Sequence, residues 1–278
     1  MRTALRAAVR SRVPVVRRLA KLLVSIGYYT GPLMTERLLS ARRGPGFATV
    51  IYYHNVKNED RSRFRWQMEH LLAYTQPVRA DHNAPLKRGK QYSAVTFDDG
   101  FRGVLENAIP ELERLKIPAT IFAIARRLGT TVPWESTDSC AAIDELKRLS
   151  AKYFIIGSHS LTHPLLTALD VAAAQDEIRE SRIELERKLG LQIRLFCFPY
   201  GAHNQRLARY CKDVGYQRVF TCVPREAFSD PEEFVTGRVM VDPTDWPIEF
   251  HLKIVGAYRW ISLLKRCGSS WRSFGAWI

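Results

Sequence analysis

The chain has 278 residues, 46% of them hydrophobic and 11% aromatic, which is enough to bury a core and excludes general disorder. Its formal charge is +14, but residues 1–43 hold ten Lys and Arg against one Glu, a local net of +9. The remaining +5 is spread over 235 residues, too thinly to mark a phosphate-binding groove, so no nucleic-acid partner is expected.

Residues 1–45 form the first segment. Its arginines, from Arg2 to Arg18, are spaced by apolar residues, and the apolar run Leu22–Leu33 is broken by Gly27, Thr30, Gly31 and Pro32. That run is shorter than the roughly 20 residues that span a bilayer, and no convincing cleavage site follows it. Two readings stand: a basic amphipathic helix on an anionic membrane surface, or a solvated basic arm packed on the domain. Five cysteines, Cys140, Cys197, Cys211, Cys222 and Cys267, form an odd set with no Cys-x-x-Cys pair. Reduced thiols in a reducing compartment follow, and the expected location is cytoplasmic, with peripheral contact to the inner membrane through residues 1–45.

From residue 46 apolar runs alternate with helical patterns. The predicted strands are 47–53, 92–97, 119–124, 153–157, 193–198, 218–222 and 238–241. The clearest helix is 171–189, with Asp170 as N-cap, a stripe through Ala174, Ile178, Leu185 and Leu189, and Gly190 just beyond. A second covers about 104–116 with Pro110 bending it, and a third lies near 141–150. Seven strands separated by helices call for parallel pairing. The number is close to that of a closed barrel, and an open doubly wound sheet is the competing architecture. One domain, 46–250, is expected, followed by an extension, 251–278.

A barrel would carry its chemistry at the C-terminal strand ends. His54 closes the first predicted strand, Asp98 and Asp99 the second, His159 and His163 follow the fourth, Pro199-Tyr200-Gly201 the fifth and Asp242 the seventh. Adjacent carboxylates are hard to keep ionised together without a cation or a positive partner. The bland alternative is an Asp-Gly turn at a strand end. Two imidazoles separated by three residues can converge on one cation, although such pairs also occur on surfaces. A carboxylate with two imidazoles suits zinc or its first-row neighbours and leaves positions open for water and substrate.

These residues carry a resemblance. Thr96-Phe97-Asp98-Asp99-Gly100 together with His159-Ser160-x-x-His163-Pro164 resembles the first two motifs of the polysaccharide deacetylases, carbohydrate esterase family 4, which share the NodB-homology domain. Tyr53-His54-x-Val56, Ile117-Pro118-Ala119-Thr120 and Phe196-Cys197-Phe198-Pro199-Tyr200-Gly201 match in place and order, so the likeness covers roughly residues 47–245. The resemblance implies an α/β fold, a distorted (β/α)7 barrel, and a metal-dependent deacetylase. By position Asp99, His159 and His163 would bind a divalent metal, zinc first, and Asp98 would be the general base. Tyr200 would supply a backbone N–H to the oxyanion, and Pro199, Tyr200, Gly201 and His54 would meet substrate.

The departures from the family pattern fall on the third and last motifs. Cys197 stands where many members have an Arg that orients the base; Arg238 is the first candidate to replace it and Arg194 the weaker one. The late Leu-x-His that supplies the general acid is absent, leaving His251, His54 or no acid. Downstream, a packed helix is expected from Leu252 to about Arg266, followed by a stretch containing Trp271, Arg272, Phe274 and Trp277. The expected activity is hydrolysis of an acetyl group, an N-acetyl foremost, on an amino sugar of a cell-envelope or exopolysaccharide glycan or its lipid-linked precursor. A non-catalytic glycan-binding relative and a hydrolase of another carbon–nitrogen bond or an O-acetyl ester are the alternatives.

Overall fold

Runs of β-branched and aromatic residues build the sheet. In this computed structural model, which describes residues 2–35, 46–149 and 151–266, with 2–14 by their backbone alone, β1 spans Phe47–Tyr53, β2 Gln76–Pro77, β3 Gln91–Phe97 and β4 Ala119–Ala123. A small hairpin follows, β5 Thr131–Val132 and β6 Glu135–Ser139, and then β7 Phe154–Ser158, β8 Leu195–Cys197, β9 Arg218–Phe220, β10 Val235–Thr236 and β11 Val239–Met240. The helices are α1 Arg2–Tyr28, α2 Arg61–Tyr74, α3 Ile109–Leu115, α4 Ile143–Lys147, α5 Val171–Leu189, α6 Gln205–Val214, α7 Pro247–Ile254 and α8 Trp260–Arg266.

The main sheet runs β10-β9-β8-β7-β4-β3-β1-β11, with β2 beside β3, and its pairings are parallel. Strand order follows chain order from β1 to β9 without reversal, which removes the switch point that defines a doubly wound sheet. The outermost strands, β10 and β11, are separated in sequence only by Gly237 and Arg238. The chain therefore pairs with β9 through one pair of residues and with β1 through the next, curling the sheet into a distorted (β/α)7 barrel. The seventh strand, expected as 238–241, is thus two short stretches. It spans the gap between two edges and cannot pair continuously with both.

Side chains alternate between two cores, as the two-residue period of a strand requires. Ala48, Val50, Tyr92, Ala94, Phe122, Leu195 and Phe220 fill the barrel interior. Ile51, Tyr53, Val95 and Phe97 face outward and meet Phe64, Met68, Ile178 and Leu185 of the helices.

Helix α5 has the predicted bounds; Asp170 Oδ1 accepts from the Ala173 N–H at 2.9 Å, and Gly190 ends it at φ 71°. The second predicted helix differs. Residues Val104–Ala108 form a π-turn, and Pro110 lies in the first turn of α3, where its missing N–H costs no hydrogen bond. The third shrinks to α4, with Glu145 accepting from the Ala142 N–H at 2.8 Å. The expected helix from Leu252 to Arg266 is interrupted. Helix α7 starts at Pro247, and Gly256, at φ 79°, separates it from α8. Cys267, Trp271, Arg272, Phe274 and Trp277 lie outside the described residues.

The second half of α1 packs on the domain. Arg18 Nε donates to Glu249 Oε2 at 2.6 Å, its ring neighbour is Trp246 at 4.4 Å, Leu22 is buried, and Trp260 Nε1 donates to Ser25 Oγ at 2.9 Å. Among the described residues no helix is long and apolar enough to cross a membrane.

At Gly256 a Cβ would meet the Phe47 ring at 2.6 Å in a backbone conformation that L residues rarely adopt. Gly256→Ala should therefore lower stability by about 1–3 kcal/mol, read as a reduced urea midpoint at unchanged slope.

Candidate active site

The alternation of β3 sends Tyr92 and Ala94 into the barrel; Thr96 continues it within the strand and Asp98 just past the strand end. Arg238, fully buried between β10 and β11, reaches them from across the barrel. Its Nη1 donates to Asp98 Oδ1 at 2.7 Å and to Thr96 Oγ1 at 3.0 Å, and its Nη2 donates to Asp98 Oδ2 at 2.8 Å. The guanidinium also lies 4.4 Å from the Tyr52 ring and 5.4 Å from that of Phe122, faces that favour a cation. Burial by itself would raise the Asp98 pKa. The Arg238 charge and forked hydrogen bonds, with His159, instead hold it well below the usual carboxylate range.

The next residue breaks the strand period. Asp99 has φ 65° and Gly100 φ 70°, which swings the second carboxylate out of the interior and toward the β7 end. There His159 and His163 flank a loop in which Ser160 and His163 also have positive φ, 66° and 72°. Glu177 of α5 clamps that loop, accepting from the Leu161 and Thr162 N–H groups at 2.9 Å each and from Thr162 Oγ1 at 2.6 Å. Ser160 Oγ accepts from the His163 N–H at 2.9 Å.

Asp99 Oδ1 lies 3.6 Å from His159 Nε2 and 3.4 Å from His163 Nε2. All three residues are buried, and Asp99 Oδ1 has no hydrogen-bond partner. Two ligands held at about 2.0–2.1 Å by a tetrahedral ion stand roughly 3.3 Å apart. The orphaned oxygen and the donor set therefore fit a zinc-type dication. His159 Nδ1 is paired with the Cys197 carbonyl at 2.9 Å, which leaves Nε2 to face the site. Burial pushes His163 down to about 3, so it is a neutral imidazole near pH 7, as ligation requires. Burial likewise raises the Asp99 carboxyl above its ordinary value.

A second set, Asp98, His159 and Cys197, also converges. It fits a metal poorly, because both Asp98 oxygens and the Cys197 sulfur already accept from Arg238, the sulfur at 2.8 Å. Burial pushes the Cys197 thiol well above its ordinary pKa. The four described cysteines are free thiols.

Pro199-Tyr200-Gly201 forms a short turn at the β8 end. Tyr200 has φ 60°, is exposed, and stands edge-on to His163 with centroids 4.8 Å apart. A Cβ on Gly201 would fall 2.4 Å from the Cys222 nitrogen, so only glycine lets the turn close. His54, directly after β1, is exposed on the same rim. Two candidates fall elsewhere. Arg194 binds Gln192 before β8, and His251 meets His70 at 3.1 Å among Tyr29 and Tyr74, outside the barrel.

Two contributors escaped sequence reasoning. Trp134, at the turn of the β5–β6 hairpin, donates from Nε1 to Asp99 Oδ2 at 3.1 Å and lies 4.6 Å from the His163 ring. Glu177 is the other. Neither has a local signal, since a lone Trp in a hairpin and a Glu on a helix are ordinary residues until the rim assembles.

Removing one member of a buried ion pair leaves the other charge unpaired. Arg238→Met should cost about 3–5 kcal/mol in urea unfolding, and the double variant Asp98→Asn with Arg238→Met should recover part of that loss.

Residues 86–219 match the model of the polysaccharide deacetylase family. The chain is 23% identical over 210 residues to YxkH of Bacillus subtilis (strain 168), covering 72% of this chain and 73% of that protein. It is 25% identical over 206 residues to the poly-beta-1,6-N-acetyl-D-glucosamine N-deacetylase of Staphylococcus epidermidis, covering 70% and 71%. The fold superposes on that of IcaB from Ammonifex degensii with a TM-score of 0.62 at 24% identity, over 77% of this chain and 97% of that one. With the paired acids and paired histidines on one barrel rim, residues 86–219 carry a polysaccharide deacetylase domain, and the relatives and structural neighbours of the chain are carbohydrate deacetylases.

Proposed function

We propose that the protein is a metal-dependent deacetylase that hydrolyses an acetyl group, an N-acetyl foremost, on an amino sugar of a cell-envelope or exopolysaccharide glycan or its lipid-linked precursor. The observation that carries this reading is the division of labour between adjacent acids. Asp99 turns an unpartnered oxygen toward two imidazoles, while Asp98 is held apart by Arg238.

Asp99, His159 and His163 would hold the dication, with zinc the first choice for a carboxylate and two imidazoles. Such an ion, when bound, acidifies water and polarises an acetyl carbonyl. Asp98 accepts the proton of the attacking water, and the Arg238 pairing supports this role by keeping Asp98 ionised and fixed in direction. Arg238 is thus a positioning residue in place of the motif Arg that Cys197 replaces. The Tyr200 backbone N–H is assigned to the developing oxyanion. The exposed Tyr200 ring is assigned to one wall for the sugar and His54 to the other, while Pro199 and Gly201, expected to meet substrate, are buried and hold the Tyr200 turn from beneath. His54 is also the group assigned to return a proton to the leaving amine, since His251 is engaged with His70 away from the rim.

We assign residues 46–250 to this domain, 1–45 to a basic arm and 251–278 to a C-terminal extension. The location proposed is the cytoplasm, in contact with the inner membrane surface through the arm.

Asp98→Asn should bind zinc with affinity within about threefold of the parent but lose at least a hundredfold in acetate release from acetylated sugars. His159→Ala should lose both. Full activity in the Asn variant would remove Asp98 as the base.

A further inference from the structure

Helix α1 carries an apolar face that the domain does not use. Arg18, Leu22 and Ser25 turn inward, to Glu249, the outer core and Trp260. Val15, Val16, Leu19 and Leu23 lie within about 100° of one another around the axis, and they are 43–67% exposed. A stripe of this kind marks an interaction site more often than bare surface.

The anchors of α1 fix its height on the barrel. Arg18 Nη2 donates to the Thr244 carbonyl at 2.9 Å and its guanidinium covers Trp246, in the loop that leaves the C-terminal end of β11. That is the rim carrying Asp98, Asp99 and the histidines. Lower down, Tyr29 meets His251 and Ser25 meets Trp260. Gly256, between α7 and α8, packs on Phe47 at the start of β1. Helix α1 thus descends from the rim toward the opposite end of the barrel, and Val15 and Val16 stand at the level of the rim. Two exposed apolar residues belong to the same rim, Trp246 under the Arg18 guanidinium and Ile248 in the first turn of α7.

We propose that this surface docks the protein side-on on an anionic lipid bilayer, with the stripe of α1, Trp246 and Ile248 set into the interface and the rim opening along the membrane surface. The charge supports a lipid partner: residues 1–43 carry a net +9, which an anionic surface attracts. Apolar and basic residues combined in one helix too polar to span suit a helix lying in the interface, and a Trp beside it suits the headgroup level. The proposal deepens and rests on the function proposed above, because a rim held beside the bilayer surface is within reach of a glycan carried on a membrane lipid.

The test is flotation of the 278-residue chain with vesicles, which needs no turnover, so its failure would leave the deacetylase reading standing. The chain should float with vesicles of phosphatidylglycerol and phosphatidylcholine and about tenfold less with phosphatidylcholine alone. Leu19→Glu with Leu23→Glu should reduce flotation about tenfold or more, and Ile248→Glu should reduce it too. Leu191→Glu, exposed on the loop after α5, should not. Thermal melts should be unchanged in all of these variants, since the positions are exposed. Flotation equal between the double variant and the parent would overturn the proposal. So would a dimer in lipid-free buffer that the double variant abolishes, without flotation of the parent. Loss in the double variant with full retention in Ile248→Glu would overturn the placing of the rim beside the membrane.

Discussion

The forked ion pair between Arg238 and Asp98 is the interaction on which the rest of the site depends. Two adjacent carboxylates in one buried environment repel each other, and neither has a defined role until something positive distinguishes them. Arg238 makes that distinction from the barrel interior. Both oxygens of Asp98 are taken by one planar guanidinium, a geometry lysine could not supply. Asp99 is left to face the two imidazoles. The pair also ties the seventh strand position to β3 across the barrel, so closure of the sheet and assembly of the site are one event.

The rim around the pair is held in conformations that L residues seldom adopt. Six non-glycine residues among those described have positive φ, and Asp99, Ser160, His163 and Tyr200 are four of them. Each such residue costs on the order of 1–3 kcal/mol and persists only where its surroundings over-determine it. The surroundings here are specific: Glu177 accepts three hydrogen bonds from the histidine loop, Trp134 fixes Asp99 Oδ2, and Cys222 leaves room at residue 201 for glycine alone. The orientation of the candidate ligands is therefore set before any ion or sugar arrives, which is how a site avoids reorganising during reaction.

Much of the architecture was legible because strands and helices of this fold declare themselves locally. Residues 47–53 and 171–189 have the bounds their periodicity predicts, and Asp170 and Gly190 terminate α5 as their residue types dictate. The misreadings have local causes with distant origins. Pro110 begins a helix rather than bending one because a π-turn precedes it. The seventh strand is split because it serves two edges. The last expected helix breaks at Gly256 because the Phe47 ring, some two hundred residues earlier, allows no side chain there.

By itself the sequence determined which residues could do chemistry and at which strand ends they fall. Asp98-Asp99 and His159-x-x-x-His163 are encoded within single strand-turn segments, where spacing and side-chain type are enough. Only the tertiary structure decided the partners. It chose Arg238 over Arg194, drew Trp134 and Glu177 to the rim, took His251 away to His70, and laid α1 along α7 with an apolar stripe outward. The physical reason is distance along the chain. Those contacts join segments tens to hundreds of residues apart, and they exist only once a curled parallel sheet brings its opposite edges together.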